Sequence, residues 1–230
     1  MLTTAQFAKK FDLALLAPEA QQATIKEACE TAIKYQVASV NVNSYWAEYA
    51  ASILKGSGVG ASAVIGFPFG ACISEVKYLE LERMVGLGCT ACDMVVNIGA
   101  LKDKRYDYVR QEVQKFVEIC GDGCLTKLIF EVGFLTPEEI GTLTEISCEA
   151  GIDYVKTATG TQAFPDINDV KAMRDALSGN TAIKVSGVPR TFTLPAVLYL
   201  FDKLGVGLVG TRSAGKLVEQ YKSYLVAESA

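Results

Sequence analysis

Two lysines stand inside otherwise apolar, strand-like runs: Lys156 in Asp-Tyr-Val-Lys-Thr-Ala-Thr-Gly (153–160) and Lys184 in Thr-Ala-Ile-Lys-Val-Ser-Gly (181–187). Lysine is among the residues least often fully buried. Taking an ammonium group out of water disfavours its charged form, and a second cation nearby disfavours it further. An amine left neutral in this way attacks carbonyl carbon and forms a Schiff base. The chemistry these residues suggest is therefore amine catalysis on a carbonyl compound, provided that the fold brings them to one place.

Carboxylates occupy similar settings. Asp12 interrupts Phe-Asp-Leu-Ala-Leu-Leu and Asp93 interrupts Cys-Asp-Met-Val-Val-Asn. A carboxylate buried in a strand needs a partner; for Asp12 that is Lys184 or Lys156, unless it lies at the surface where its strand begins. Lys127 and Glu131 are four apart in a run that reads as one strand, so both face the same side and are expected to form an internal ion pair. The chain contains no histidine. That excludes histidine general bases, Ser-His-Asp triads and histidine-ligated zinc. Acid–base work falls to carboxylates, lysines, tyrosines, cysteines or water.

Two turns carry glycine next to hydroxyl and guanidinium groups: Ser186-Gly187-Val188-Pro189-Arg190-Thr191 and Gly210-Thr211-Arg212-Ser213-Ala214-Gly215. Glycine permits close backbone approach, and amide hydrogens at a helix start point at an anion. Each turn reads as a phosphate site or as an ordinary strand-to-helix connection, with Ser213 as a plain N-cap. Cys89-Thr-Ala-Cys92 and the Cys120/Cys124 pair have spacings compatible with zinc or redox chemistry. They are expected to be ordinary thiols, towards the end of the molecule away from the active site. Tyr45, Trp46 and Tyr49 read as packing residues.

These groups must be positioned by the elements around them. Short apolar runs suited to strands covered on both faces fall at Asp12–Leu16, Ala38–Asn43, Ala61–Ile65, Asp93–Asn97, Lys127–Val132, Asp153–Thr157, Ala182–Ser186 and Val206–Gly210. Amphipathic patterns lie between them near 23–35, 45–55, 74–87, 106–120, 137–149, 167–177, 193–203 and 213–226. Eight strand–helix repeats in 230 residues predict an α/β fold, a single-domain (β/α)8 TIM barrel spanning 1–230. An open doubly wound sheet is the alternative, disfavoured because no Gly-x-Gly-x-x-Gly turn follows the first strand. In a barrel the active site lies at the C-terminal strand ends.

With these residues in place, the chain resembles the deoxyribose-phosphate aldolase family of class I aldolases. The resemblance runs from about Phe11 to Gly215 and rests on 11–16, Ala-Ser-Val-Asn-Val-Asn (38–43), Val-Ile-Gly-Phe-Pro-Phe-Gly (64–70), 92–101, Tyr-Val-Lys-Thr-Ala-Thr-Gly (154–160), Ile-Lys-Val-Ser-Gly (183–187) and Gly-Thr-Arg-Ser (210–213). It implies Lys156 as the Schiff-base lysine, Lys184 as the second lysine that lowers its pKa, Asp93 as a proton-transfer group working with water, and Asp12 as the carboxylate near Lys184. It also implies that Thr159, Gly160, Gly187 and Ser213 hold the substrate or its phosphate; Gly210 and the extra cation Arg212, in the same turn as Ser213, are candidates for that role from their residue types. The implied reaction is reversible cleavage of 2-deoxy-D-ribose 5-phosphate, with neither metal nor cofactor.

The sequence departs from the family pattern at several positions. Ala14 stands where a hydroxyl is usual, Asn41 replaces a cysteine and is free to bond a substrate hydroxyl, and Ala158 replaces a serine. Thr161 replaces a lysine or an aromatic residue, and Val188-Pro189 stands where a second glycine is usual. Proline removes an amide donor. These changes keep two alternatives open: a same-family aldolase for another phosphosugar or an unphosphorylated aldehyde, and a non-catalytic sugar-phosphate-binding barrel.

Net charge is −4 without a long basic run, which argues against nucleic acid or an anionic membrane as partner. No apolar stretch is long enough to span a bilayer and no signal-peptide pattern is visible. Seven scattered cysteines fit a reducing cytoplasm. A homodimer paired through surface helices is the expected assembly.

Overall fold

Outward-facing strand residues build the core. Phe11 and Leu13, Val40 and Val42, Ala61 and Ala63, Cys92 and Met94, Leu128, Val155, Ile183 and Val209 all belong to one buried apolar cluster with the helices around them. Side chains alternate along a strand. The intervening residues therefore face the lumen, and these include Asp12, Asn41, Asp93, Lys127, Lys156 and Lys184. One alternation thus supplies an apolar jacket and a polar axis.

The computed structural model describes residues 1–188 and 191–228. Among these, eight parallel strands close into a barrel in chain order. They are β1 (Phe11–Leu15), β2 (Ser39–Asn43), β3 (Gly60–Ile65), β4 (Ala91–Val95), β5 (Leu125–Ile129), β6 (Tyr154–Lys156), β7 (Ala182–Val185) and β8 (Leu208–Thr211). The helices are α1 (Thr4–Ala8), α2 (Gln22–Tyr35), α3 (Ala47–Leu54), α4 (Ser74–Gly86), α5 (Ile98–Lys102), α6 (Tyr106–Cys120), α7 (Pro137–Ala150), α8 (Ile167–Ala176), α9 (Leu194–Leu204) and α10 (Ala214–Glu228). The predicted single-domain (β/α)8 barrel is the observed fold. Short helices α1 and α5 add to the eight predicted helical segments.

Helix starts follow from local chemistry. Thr136 caps α7 with a reciprocal capping box to Glu139 and Pro137 in the first turn, and Gly151 ends the helix in the left-handed region. Asp166 caps α8 through the amides of Asn168 and Asp169, and Thr193 caps α9 through Ala196. Strand ends differ from expectation. Asp93 lies in the middle of β4 instead of at its start, and β5 stops at Ile129. Glu131 lies beyond β5, at positive φ (55°). The predicted Lys127–Glu131 pair is therefore not formed, because the chain leaves strand geometry between the two residues.

Candidate active site

Register decides which side chains meet. Asp93 pairs across the ladder with Lys127, Lys156 with Lys184, Asn41 with Ser62, and Asp12 with both Ser39 and Gly210. Laterally paired residues of a parallel sheet share a face, so these polar groups converge in the lumen. The three lysines and two aspartates are each at most 2 % exposed.

Their contacts form one network. Asp93 Oδ2 accepts from Lys156 Nζ at 2.6 Å, Lys184 Nζ at 2.7 Å and Asn41 Nδ2 at 2.8 Å. Asp93 Oδ1 accepts from Ser62 Oγ at 3.2 Å and faces Lys127 Nζ at 3.7 Å. Asp12 Oδ2 accepts from Lys184 Nζ at 2.5 Å and Lys127 Nζ at 2.6 Å, and Ser39 Oγ donates to Asp12 Oδ1 at 2.6 Å. Lys184 bridges the two carboxylates. Lys156 touches Asp93 alone among them and ends β6, on the side where a barrel carries its active site.

Three amines share two carboxylates, so the buried cluster reaches neutrality when one amine gives up its proton. Lys156 is that amine. Burial lowers its pKa, the Asp93 carboxylate opposes this, and the Lys184 charge lowers it again, to about 8 overall. Burial also pulls Lys127 down, but Asp12 and Asp93 outweigh it and hold the ammonium above the usual lysine range. For Asp93, burial acts upward, yet Lys156, Lys184 and Lys127 hold the carboxyl well below the usual range. Asp12 is likewise held low, against its burial, by Lys127 and Lys184.

The glycine-bearing loops form a second feature beside this network. Thr159, Gly160, Gly187, Val188, Gly210, Arg212 and Ser213 line one cavity of about 300 Å³, with Thr191 and Phe192 on its wall. It lies at the start of α10, where helix amides and dipole favour an anion. Gly210 belongs to both features. A side chain there would meet Lys184 Cε at 3.3 Å and Ser186 Cβ at 3.0 Å. Gly160 and Gly187, both at positive φ, pack back to back, and a Cβ on Gly187 would lie 2.8 Å from the Gly160 amide nitrogen. Pro189 and Arg190, singled out in the same loop, lie outside the described residues.

Several features differ from the sequence reading or were missed by it. Asn41 lies in the lumen and not in the wall of that cavity; its amide donates to Asp93, and its Oδ1 is buried with no hydrogen-bond partner among the described residues. Asp12, by contrast, is buried and paired with Lys184, one of the two partners expected for it. Lys127 belongs to the lumen cluster through Asp12, a partnership that the i, i+4 spacing with Glu131 obscured. Glu131 Oε2 instead accepts from the Thr159 amide at 3.0 Å, while Oε1 is buried with no hydrogen-bond partner among the described residues. Burial pushes that carboxyl above the ordinary glutamate range. Ser39 and Ser62 had no sequence signal beyond small polar residues in strands.

Fold and site together define a (β/α)8 barrel with an amine-centred lumen. The model of the DeoC/LacD family aldolases matches residues 8–193. Deoxyribose-phosphate aldolase 1 of Mesoplasma florum is 42% identical over 185 residues, 80% of this chain and 84% of that protein. The deoxyribose-phosphate aldolase of Clostridium tetani is 38% identical over 215 residues, 93% of this chain and 98% of that protein. Among solved structures, a tetrameric deoxyribose phosphate aldolase from Aeropyrum pernix superposes with a TM-score of 0.85 at 26% identity, covering 96% of this chain and 93% of that one. The chain belongs to the DeoC/LacD aldolase family.

Proposed function

We propose that this protein is a class I aldolase that reversibly cleaves 2-deoxy-D-ribose 5-phosphate to D-glyceraldehyde 3-phosphate and acetaldehyde. The observation that carries the reading is Lys156, buried, of lowered pKa and held against Asp93 beside Lys184. The names of the relatives give the substrate. The cavity supports it, since Gly210 in its wall abuts Lys184 and Arg212 and Ser213 share the same lining.

In this mechanism neutral Lys156 Nζ adds to the C1 aldehyde. Loss of water gives an iminium, which draws electrons as the C2–C3 bond breaks and the C3 hydroxyl loses its proton. The enamine is then protonated at C2, and hydrolysis releases acetaldehyde. Lys184, held between Asp12 and Asp93, lowers the pKa of its neighbour Lys156 and so favours that amine's neutral form. Asp93, ionised at neutral pH, orients Lys156 and the water that carries protons. Asn41 Oδ1 and Glu131 Oε1 are buried acceptors left for substrate hydroxyls.

Borohydride reduction with acetaldehyde, followed by peptide mass mapping, tests this reading. A two-carbon adduct on Lys156 is expected, and an adduct confined to Lys184 would reverse the two lysine roles. No adduct at either would sink the aldolase reading. The homodimer is supported by Ile73, Val76 and Leu79, an exposed apolar row at and along α4; light scattering checks it. A reducing cytoplasm is supported by the seven free cysteines.

A further inference from the structure

The cysteines that looked unremarkable in sequence are brought together by the fold. Cys92 points outward from β4, Cys120 ends α6, and Cys124 immediately precedes β5. Their Sγ atoms all lie within 4.8 Å of one another, and those of Cys92 and Cys124 are 3.8 Å apart. All three are buried, and no disulfide joins them. Metal–thiolate bonds of ~2.3 Å place sulfur atoms ~3.8 Å apart in a tetrahedral site and ~4.0 Å apart in a trigonal one. The observed spacing therefore fits sulfur atoms around a single ion.

We propose that Cys92, Cys120 and Cys124 form a trigonal thiolate site for a soft monovalent cation, copper(I). Thiolates select soft ions. Structural zinc takes four ligands, and among the described residues no further cysteine or carboxylate places its ligand atom within 4.8 Å of all three sulfurs. The chain has no histidine. Cys89, though buried, falls outside the three-sulfur cluster. The neighbouring Asp153 Oδ2 already accepts from the Thr126 amide and hydroxyl. Binding forms three copper–sulfur bonds and releases the three thiol protons to solvent. Occupancy would tie the β4 strand that carries Asp93 to the entry of the β5 strand that carries Lys127, at the end of the barrel away from the amines.

The test is copper(I) titration of the full chain, anaerobically and with reductant, against a chromogenic copper(I) chelator. X-ray absorption of the loaded protein counts the sulfur neighbours. The expected result is one ion per chain with three sulfurs. Affinity should fall at least 100-fold in each of C92A, C120A and C124A and stay unchanged in C89A. Borohydride trapping on Lys156 shows that each variant is folded. If C92A fails to fold, C120S at the helix end serves instead, and the absorption measurement needs no variant. Wild type yielding its copper as readily as the triple variant would overturn the proposal. So would a preference for zinc that depends on Cys89, which would mean a four-sulfur site.

Discussion

This molecule buries lysines in two ways. In the lumen, Lys127, Lys156 and Lys184 share Asp12 and Asp93. In the helix layer, Lys77 of α4 is fully buried against Glu112 of α6, with Nζ 2.9 Å from the carboxylate and 2.9 Å from the Val95 carbonyl. Glu112 is completed by Ser74 Oγ at 2.7 Å and the Asn97 amide at 3.1 Å. One cation meets one anion there, and the neighbouring dipoles finish the job. The lumen has one amine too many. Burial alone therefore does not mark a reactive lysine; an excess of buried cations over buried anions does.

The largest expected effect separates the two sites by activity. Lys156→Met should lower kcat by at least ~10³-fold, abolish borohydride trapping, and leave the urea midpoint at or above wild type. A trapped adduct in that variant would break the comparison at its centre. Next comes stability. Lys77→Met leaves Glu112 buried without its cation and should cost about 3–5 kcal/mol in urea unfolding. Activity per folded molecule should stay within about twofold, and adding Glu112→Leu should restore most of the loss. A kcat collapse in Lys77→Met would mean that the helix-layer pair is not merely structural.

A smaller effect sharpens the electrostatics. The attacking amine must be neutral, so kcat/KM should rise with pH through about 8, the value at which Lys156 loses its proton. Lys184→Met removes a charge that lowers this pKa, so the rise should move to higher pH while kcat falls by ~10²-fold. A profile that moves to lower pH would contradict the ordering of charges. The smallest effect is Ser39→Ala, which deletes one donor to Asp12 and should cost about 1–2 kcal/mol with little change in kcat.

The two sites were unequally legible. Lysines 156 and 184 announce themselves because they break apolar runs in short strands, where burial on both faces is the only outcome. Lys77 sits in Ser-Glu-Val-Lys-Tyr-Leu-Glu-Leu-Glu, a stretch in which a lysine ordinarily points to water. Its burial arises from the packing of α4 on α6, which no local pattern encodes. The alternation of eight runs made the barrel visible, whereas strand ends did not follow from it. Glu131 continues the apolar run beyond Ile129, but its left-handed backbone turns it towards Thr159. That single boundary misassigned the partner of Lys127. The chemistry of the β7 and β8 turns was visible in residue types, but the role of Gly210 as space for Lys184 depends on a neighbouring strand.

The alternating register that aims the charges inward also has a meaning for assembly. A slip of β6 by one residue would turn Lys156 into the apolar jacket and Val155 into the polar axis. The same holds for β1, β4, β5 and β7 with Asp12, Asp93, Lys127 and Lys184. Each misaligned closure would strand a charge among hydrocarbon and leave its opposite number unpaired. The reactive cluster thus acts as a combination lock on barrel closure. Five strands must arrive in step before the charges cancel, so a ring that has closed correctly has, by the same act, finished building its catalyst.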